Sequence, residues 1–174
     1  MSAIPAGWMP AATMSRIHVH WTAGGHRANA VDKRAYHILI EGDGTLVRGT
    51  PPISANAAPV RAGHAAHTRS ANTGAIGVAM CCMRGAVERP FNPGPSPMTK
   101  PQWDAMVRAV AALATRYGIA VTDKTILTHA EVQPNLNIRQ SGKWDIAILA
   151  FDRSFDTPRK VGDRLRAEVR EAMR

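Results

Sequence analysis

The sequence holds only two cysteines, Cys81 and Cys82, adjacent within the apolar run 78–83. On a strand their side chains point to opposite faces, which disfavours an ordinary disulfide or a shared metal and leaves two small core-filling thiols as the expectation. No apolar run approaches the ~20 residues that a membrane-spanning helix requires. The opening Met1-Ser2-Ala3-Ile4-Pro5-Ala6-Gly7-Trp8 lacks the basic start and apolar stretch of a secretory signal, so cytoplasmic synthesis without a signal peptide is expected. Acidic residues are few, 13 against 22 Lys and Arg, giving a net charge of +9. Such a balance favours polyanions: nucleic acid, anionic lipid or an anionic wall polymer. With no helix-turn-helix, zinc-finger spacing or aromatic ribonucleoprotein motif beside it, no specific nucleic-acid partner is expected. Neither an internal repeat nor a dividing linker occurs, and 174 residues with a hydrophobic share of 45% suit one domain with a single core.

After an irregular lead-in over residues 1–14, residues 16–22 read as a buried strand. Residues 36–48 contain two apolar runs around Gly42-Asp43-Gly44, a hairpin signal because glycine tolerates the positive φ of tight turns. Residues 75–83 read as a further, central strand, and the prolines at 90, 93, 95 and 97 mark the next stretch as irregular. The spacing of Trp103, Met106, Val107, Val110, Leu113, Ala114 and Tyr117 predicts a helix over 99–117. Thr99 and Gln102 form its capping box, Pro101 sits in its first turn, and Gly118 stops it. Residues 125–128 read as a short strand or helix end, and the stretch between His129 and Asp145 as a polar loop. The tail over 158–174 is a basic amphipathic helix, with Val161, Leu165, Val169 and Met173 on its apolar stripe. Its charged faces are read as solvated, with attraction to an anionic membrane or wall as the sharper alternative.

The chemistry concentrates where apolar segments meet loops. His18 and His20 share one face of the first strand, so geometry alone leaves the choice between them open; His20 lies nearer the strand end, where metal sites open. His129 follows Ile126-Leu127-Thr128, and Asp145 follows Gly142-Lys143-Trp144. Two histidines and a carboxylate form the ligand set of an open zinc site, which keeps its fourth position for water and points to a metal-dependent hydrolase.

These residues carry a family resemblance. His20-Trp21-Thr22-Ala23-Gly24, Tyr36-His37-Ile38-Leu39-Ile40 with Asp43-Gly44-Thr45, Gly63-His64, and Asn72-Thr73-Gly74-Ala75-Ile76-Gly77-Val78 occur in that order. Tyr117-Gly118-Ile119, Ile126-Leu127-Thr128-His129-Ala130-Glu131-Val132 and Lys143-Trp144-Asp145 follow. The ordered set resembles the type-2 zinc-dependent N-acetylmuramoyl-L-alanine amidases, whose fold is shared with peptidoglycan recognition proteins and amidase-type phage lysozymes. The resemblance covers about residues 16–150.

It implies an α/β domain in which a central mixed β-sheet is flanked by α-helices, with Zn2+ in a groove at the sheet edge held by His20, His129 and Asp145. Tyr36 and Lys143 are the implied catalytic residues, one beside the metal's water and the other towards the oxyanion. His64 and Asn72 are the implied groove-lining, substrate-binding positions. The implied partner is peptidoglycan, cut by a monomer between N-acetylmuramic acid and L-alanine. A phage or prophage endolysin acting on the wall after release is the expected role, with a muropeptide-recycling amidase or a non-catalytic recognition module as alternatives. His18 and His37 are expected to be structural, His18 also serving to orient a ligand. Glu131 is expected either to support the nearby histidine or to lie on the surface.

Two departures stand out. Ala79 occupies a position where many relatives carry Glu, which removes a Glu-assisted mechanism there. Asp145-Ile146-Ala147 replaces the family's usual Asp-Pro-Gly, so the loop beyond the aspartate is expected to differ.

Overall fold

Five short strands form one mixed sheet in the order β3-β2-β4-β1-β5: β1 Arg16–Trp21, β2 Ile38–Ile40, β3 Leu46–Arg48, β4 Ala75–Met80 and β5 Ile126–Thr128. This computed structural model describes residues 3–174; Met1 and Ser2 of the lead-in lie outside the described residues. Strand β1 pairs in parallel with β4 and β5, and β4 in parallel with β2. Only β3 is antiparallel, joined to β2 by the turn at Gly42-Asp43-Gly44, where Gly44 N–H donates to Glu41 O at 2.9 Å. All six residues of β4 are buried, as expected of a central parallel strand covered on both faces.

The period-two alternation of the strands divides the molecule. Ile17, Val19 and Trp21 of β1, Ile76, Val78 and Met80 of β4, and Ile38 and Ile40 of β2 belong to one apolar core. The core is closed by α2 (Lys100–Tyr117) and α4 (Pro158–Ala172), which contribute Trp103, Met106, Val110 and Leu113, and Val161, Leu165 and Val169. Each such side chain contributes about 1.5–3 kcal/mol on burial. The opposite face of β1 presents His18 and His20, in register with Gly77 and Ala79 of β4. The two small neighbours leave the space above that face to imidazole rings.

Helix α2 starts where its sequence signals place it. Thr99 Oγ1 accepts from Gln102 N–H while Gln102 Oε1 accepts from Thr99 N–H, both at 3.1 Å, and the chain leaves the helix at Gly118 in the left-handed conformation. Cys81 and Cys82 are buried free thiols just beyond β4, and burial pushes the Cys81 pKa up to about 12. Residues 90–97 are irregular. No helix among the described residues is long and apolar enough to cross a membrane.

Two helices lie where the sequence reading has none. The six-residue α1 (Ala30–Ala35) is closed by a capping box between Asn29 and Asp32, and Tyr36 terminates it instead of starting the hairpin strand. The stretch read as a polar loop after His129 opens with α3 (His129–Leu136), at whose start Glu131 reaches back to accept from Thr128 N–H at 3.1 Å.

Helix α4 is tied down by its charges. Arg166, 4% exposed, donates to both carboxylate oxygens of Glu131 at 2.9 and 3.0 Å, to Asp163, and to Ile126 O at 3.0 Å. Glu131 Oε2 in turn accepts from Thr128 N–H at 3.1 Å, so this pair links α4 to the residue preceding His129. Arg164 pairs with Asp152 and Glu168 and lies over the Phe155 ring at 4.6 Å. Arg159, Lys160 and Arg174 pair with Asp163, Asp156 and Glu171, and Arg170 donates to Val121 O. The basic face of the helix is therefore largely engaged within the chain.

Replacing Arg166 strands a buried carboxylate, a loss of about 3–5 kcal/mol. Arg166→Met is expected to lower the urea midpoint accordingly, and Arg166→Met with Glu131→Gln to recover part of the loss. Equal midpoints for Arg166→Met and Arg170→Met would show that the clamp contributes nothing.

Candidate metal centre

The site lies beyond the carboxyl ends of the parallel strands, where open α/β sheets form their crevices. Strand β1 carries His20 one residue from its end, β5 hands its chain to His129 as the first residue of α3, and the 143–149 turn returns Asp145 to both. That turn is anchored by Trp144, packed edge-on against Trp21 at 4.7 Å, and by Ala130 N–H, which donates to Asp145 O at 2.6 Å. Ile146, which follows Asp145 in this turn, is fully buried.

Three donor atoms converge. His20 Nδ1 is 3.0 Å from His129 Nδ1 and 3.1 Å from Asp145 Oδ2, and His129 Nδ1 is 3.2 Å from the same Asp145 Oδ2. Four ligands held tetrahedrally at zinc's usual bond lengths of about 2.0–2.1 Å stand about 3.3–3.4 Å apart, so the triangle nearly matches one face of such a shell. Among the described residues these three form the one group whose ligand atoms all lie close enough to share an ion. Two imidazoles and a carboxylate are also a donor set that suits zinc. His20 belongs to this group and His18 does not: His18 Nδ1 is 3.0 Å from Thr68 Oγ1, and its Nε2 is buried without a partner.

Charge is arranged around the triad. Burial disfavours the Asp145 carboxylate, but hydrogen bonds from His129 and His20 outweigh it and hold its pKa below the usual carboxylate range. Burial lowers the pKa of His20. For His129 burial is outweighed by the hydrogen bond to Asp145 and its charge, and the pKa stands above the ordinary imidazole value.

The outer ring nitrogens are held as well. His129 Nε2 lies 2.9 Å from Gln140 Oε1, and Gln140 Nε2 donates to Arg69 O at 2.9 Å. His20 Nε2 lies 3.2 Å from His67 Nδ1. The triad opens into a cavity of about 810 Å³ whose wall includes Tyr36, His67, Asn72, Lys143 and Trp144. The Tyr36 ring is 5.2 Å from that of His20, and burial, with Asp145 next, pushes its hydroxyl pKa well up. Lys143 is exposed.

The two proposed substrate positions fall differently. His64 lies outside this cavity wall, in a loop where its Nδ1 is 3.0 Å from Arg61 O. Asn72 lines the cavity, but its Oδ1 is occupied, accepting from His67 N–H at 3.1 Å and Thr68 N–H at 2.8 Å. His37 is structural: it accepts from Gly77 N–H and bonds Asn56 Oδ1, and burial lowers its pKa to about 4. The reading of the sequence missed His67 and Gln140. His67 stands three residues beyond the more conspicuous Gly63-His64, with no local signal to single it out.

Asn72→Ala strands two amides and is expected to cost about 1–3 kcal/mol in urea unfolding of the metal-free protein. A side chain reserved for substrate would leave that stability unchanged.

A family model described as N-acetylmuramoyl-L-alanine amidase matches residues 10–146. No curated protein matches the sequence. Among solved structures, the fold is similar to that of N-acetylmuramoyl-L-alanine amidase LysC from Clostridium intestinale URNW, at 17% identity and a TM-score of 0.55, covering 98% of this chain and 93% of that one. It is also similar to that of the Ph2119 endolysin from Thermus scotoductus MAT2119 bacteriophage Ph2119, at 17% identity and 0.54, covering 95% and 88%. At such identity these neighbours speak for the fold, whereas the family match spans most of the sequence and includes all three donors: the chain belongs to the N-acetylmuramoyl-L-alanine amidase family.

Proposed function

We propose that this chain is a zinc-dependent N-acetylmuramoyl-L-alanine amidase that cleaves the bond between the lactyl group of N-acetylmuramic acid and L-alanine in peptidoglycan, acting as a phage or prophage endolysin. The observation that carries the reading is the triangle of His20, His129 and Asp145, with edges of 3.0–3.2 Å, opening into the cavity that Tyr36 and Lys143 line. A zinc ion held there supplies Lewis acidity, activating water and polarising the scissile carbonyl.

The remaining work belongs to the chain. Tyr36, kept protonated by burial, has a hydroxyl to donate at neutral pH. Lys143 brings a positive charge to the cavity as the carbonyl oxygen turns negative. Between them they stabilise that oxygen and deliver the proton that the departing amine requires. Ala79, beside His20 in the sheet register, provides no carboxylate for either task. Its absence favours a mechanism built on Tyr36 and Lys143.

Purified protein incubated with intact sacculi is expected to release stem peptides beginning with L-alanine, detected by mass spectrometry, and to lose that activity with chelator or with His129→Ala. Lys143→Ala is expected to reduce kcat by about 10²–10³-fold, the scale of a lost oxyanion partner. Release from soluble muropeptides alone would favour the recycling reading. Wall binding by zinc-loaded protein without cleavage would favour a recognition module.

A further inference from the structure

The ligand His20 is backed by a third histidine. Metal-bound imidazoles ordinarily donate their second N–H to a carboxylate, a backbone carbonyl or water, which fixes the tautomer and the ring plane. His129 follows this pattern through Gln140 Oε1 at 2.9 Å. His20 Nε2 instead faces His67 Nδ1 at 3.2 Å and Thr68 Oγ1 at 3.4 Å.

The surrounding bonds settle which atom donates. His67 Nε2 faces Ala75 O at 3.3 Å; a carbonyl only accepts, so Nε2 carries the hydrogen and Nδ1 is left as an acceptor. Thr68 Oγ1 lies 2.8 Å from His67 Nδ1 and 3.0 Å from His18 Nδ1. With His18 donating from Nδ1, the Thr68 hydroxyl turns its own hydrogen to His67, and the partnerless His18 Nε2 is a bare acceptor and not an orphaned N–H. The Thr68 hydrogen then occupies the single lone pair of His67 Nδ1, and Thr68 Oγ1, held by that bond, is the atom that presents a lone pair to His20 Nε2, at 3.4 Å.

Two further contacts fix this pair in place. Asn72 Oδ1 accepts from the main-chain N–H groups of His67 and Thr68. The His67 ring lies over Gly77 so closely that a Cβ there would stand 2.6 Å from His67 Cδ2. Strand β4 thus leaves its site face bare of a side chain where the ring sits.

We infer that His67 and Thr68 together are positioning residues of the metal centre: His67 takes the Thr68 hydroxyl hydrogen and so turns Oγ1 to accept the Nε2 hydrogen of His20, which holds that ring in the tautomer whose Nδ1 is free to bind metal. The inference rests on the zinc reading of the triad.

The test is the zinc dissociation constant, measured by competition with a chromophoric chelator on protein whose metal-free form unfolds cooperatively. His67→Leu removes the group that orients the Thr68 hydroxyl and is expected to weaken zinc binding about 10–100-fold. His67→Asn places a carbonyl oxygen near the former Nδ1 and is expected to restore most of the affinity. Gly77→Ala displaces the ring without altering its chemistry and is expected to weaken binding as His67→Leu does. Cobalt(II) bound in place of zinc is expected to show an altered visible spectrum in His67→Leu and a near-native one in His67→Asn.

Native zinc affinity in His67→Leu would overturn the inference. So would equal weakening in the Leu and Asn variants, because packing alone would then account for the loss. If His67→Leu does not fold, the comparison of His67→Asn with Gly77→Ala and Thr68→Val decides: native affinity in both of the latter overturns the inference. Failure of the unaltered protein to bind zinc would instead refute the zinc reading itself.

Discussion

Everything in the upper half of this molecule follows from holding two imidazoles and a carboxylate about one hydrogen-bond length apart. The edges of 3.0–3.2 Å bring together side chains separated by 109 and 16 positions in sequence. Such a cluster is costly to bury unless its charges and hydrogen bonds compensate one another. Here Asp145 compensates both histidines, and Gln140 and His67 engage their outer nitrogens. A metal ion would complete an arrangement that the protein alone only balances.

That requirement explains why the sheet has two unlike faces. The odd-numbered side chains of β1 build the apolar core against α2 and α4, while His18 and His20 turn to the other side. Gly77 and Ala79 on the neighbouring strand are small where the rings need room. The clamp of Arg166 on Glu131 extends the same logic to the far side, because it steadies the β5–α3 junction from which His129 projects. Core and site are thus two faces of the same strands, and a change in strand register would damage both.

The parts of this design that were legible in the sequence are those with local signals. The apolar run of β1, the Gly-Asp-Gly turn, and the capping box and apolar stripe of α2 each sit within one element and match the structure. The three donor residues stood out because each stands where an apolar segment meets a loop. Helix α3 escaped because Pro134 and Asn135 read as a loop, although Thr128 and Glu131 are spaced as a capping box. Helix α1, only six residues long, has too little periodicity to register. His67 and Gln140 could not be read because their roles are contacts across the fold; nothing local distinguishes His67 from His64, yet one lies against His20 and the other out in a loop.

The most direct measurement is X-ray absorption at the zinc edge of the loaded protein. The account expects one zinc per chain, with a first shell of two imidazole nitrogens and oxygen donors at about 2.0–2.2 Å, and loss of one imidazole contribution in His129→Ala. A sulfur shell, or an imidazole count that His129→Ala leaves unchanged, would contradict it.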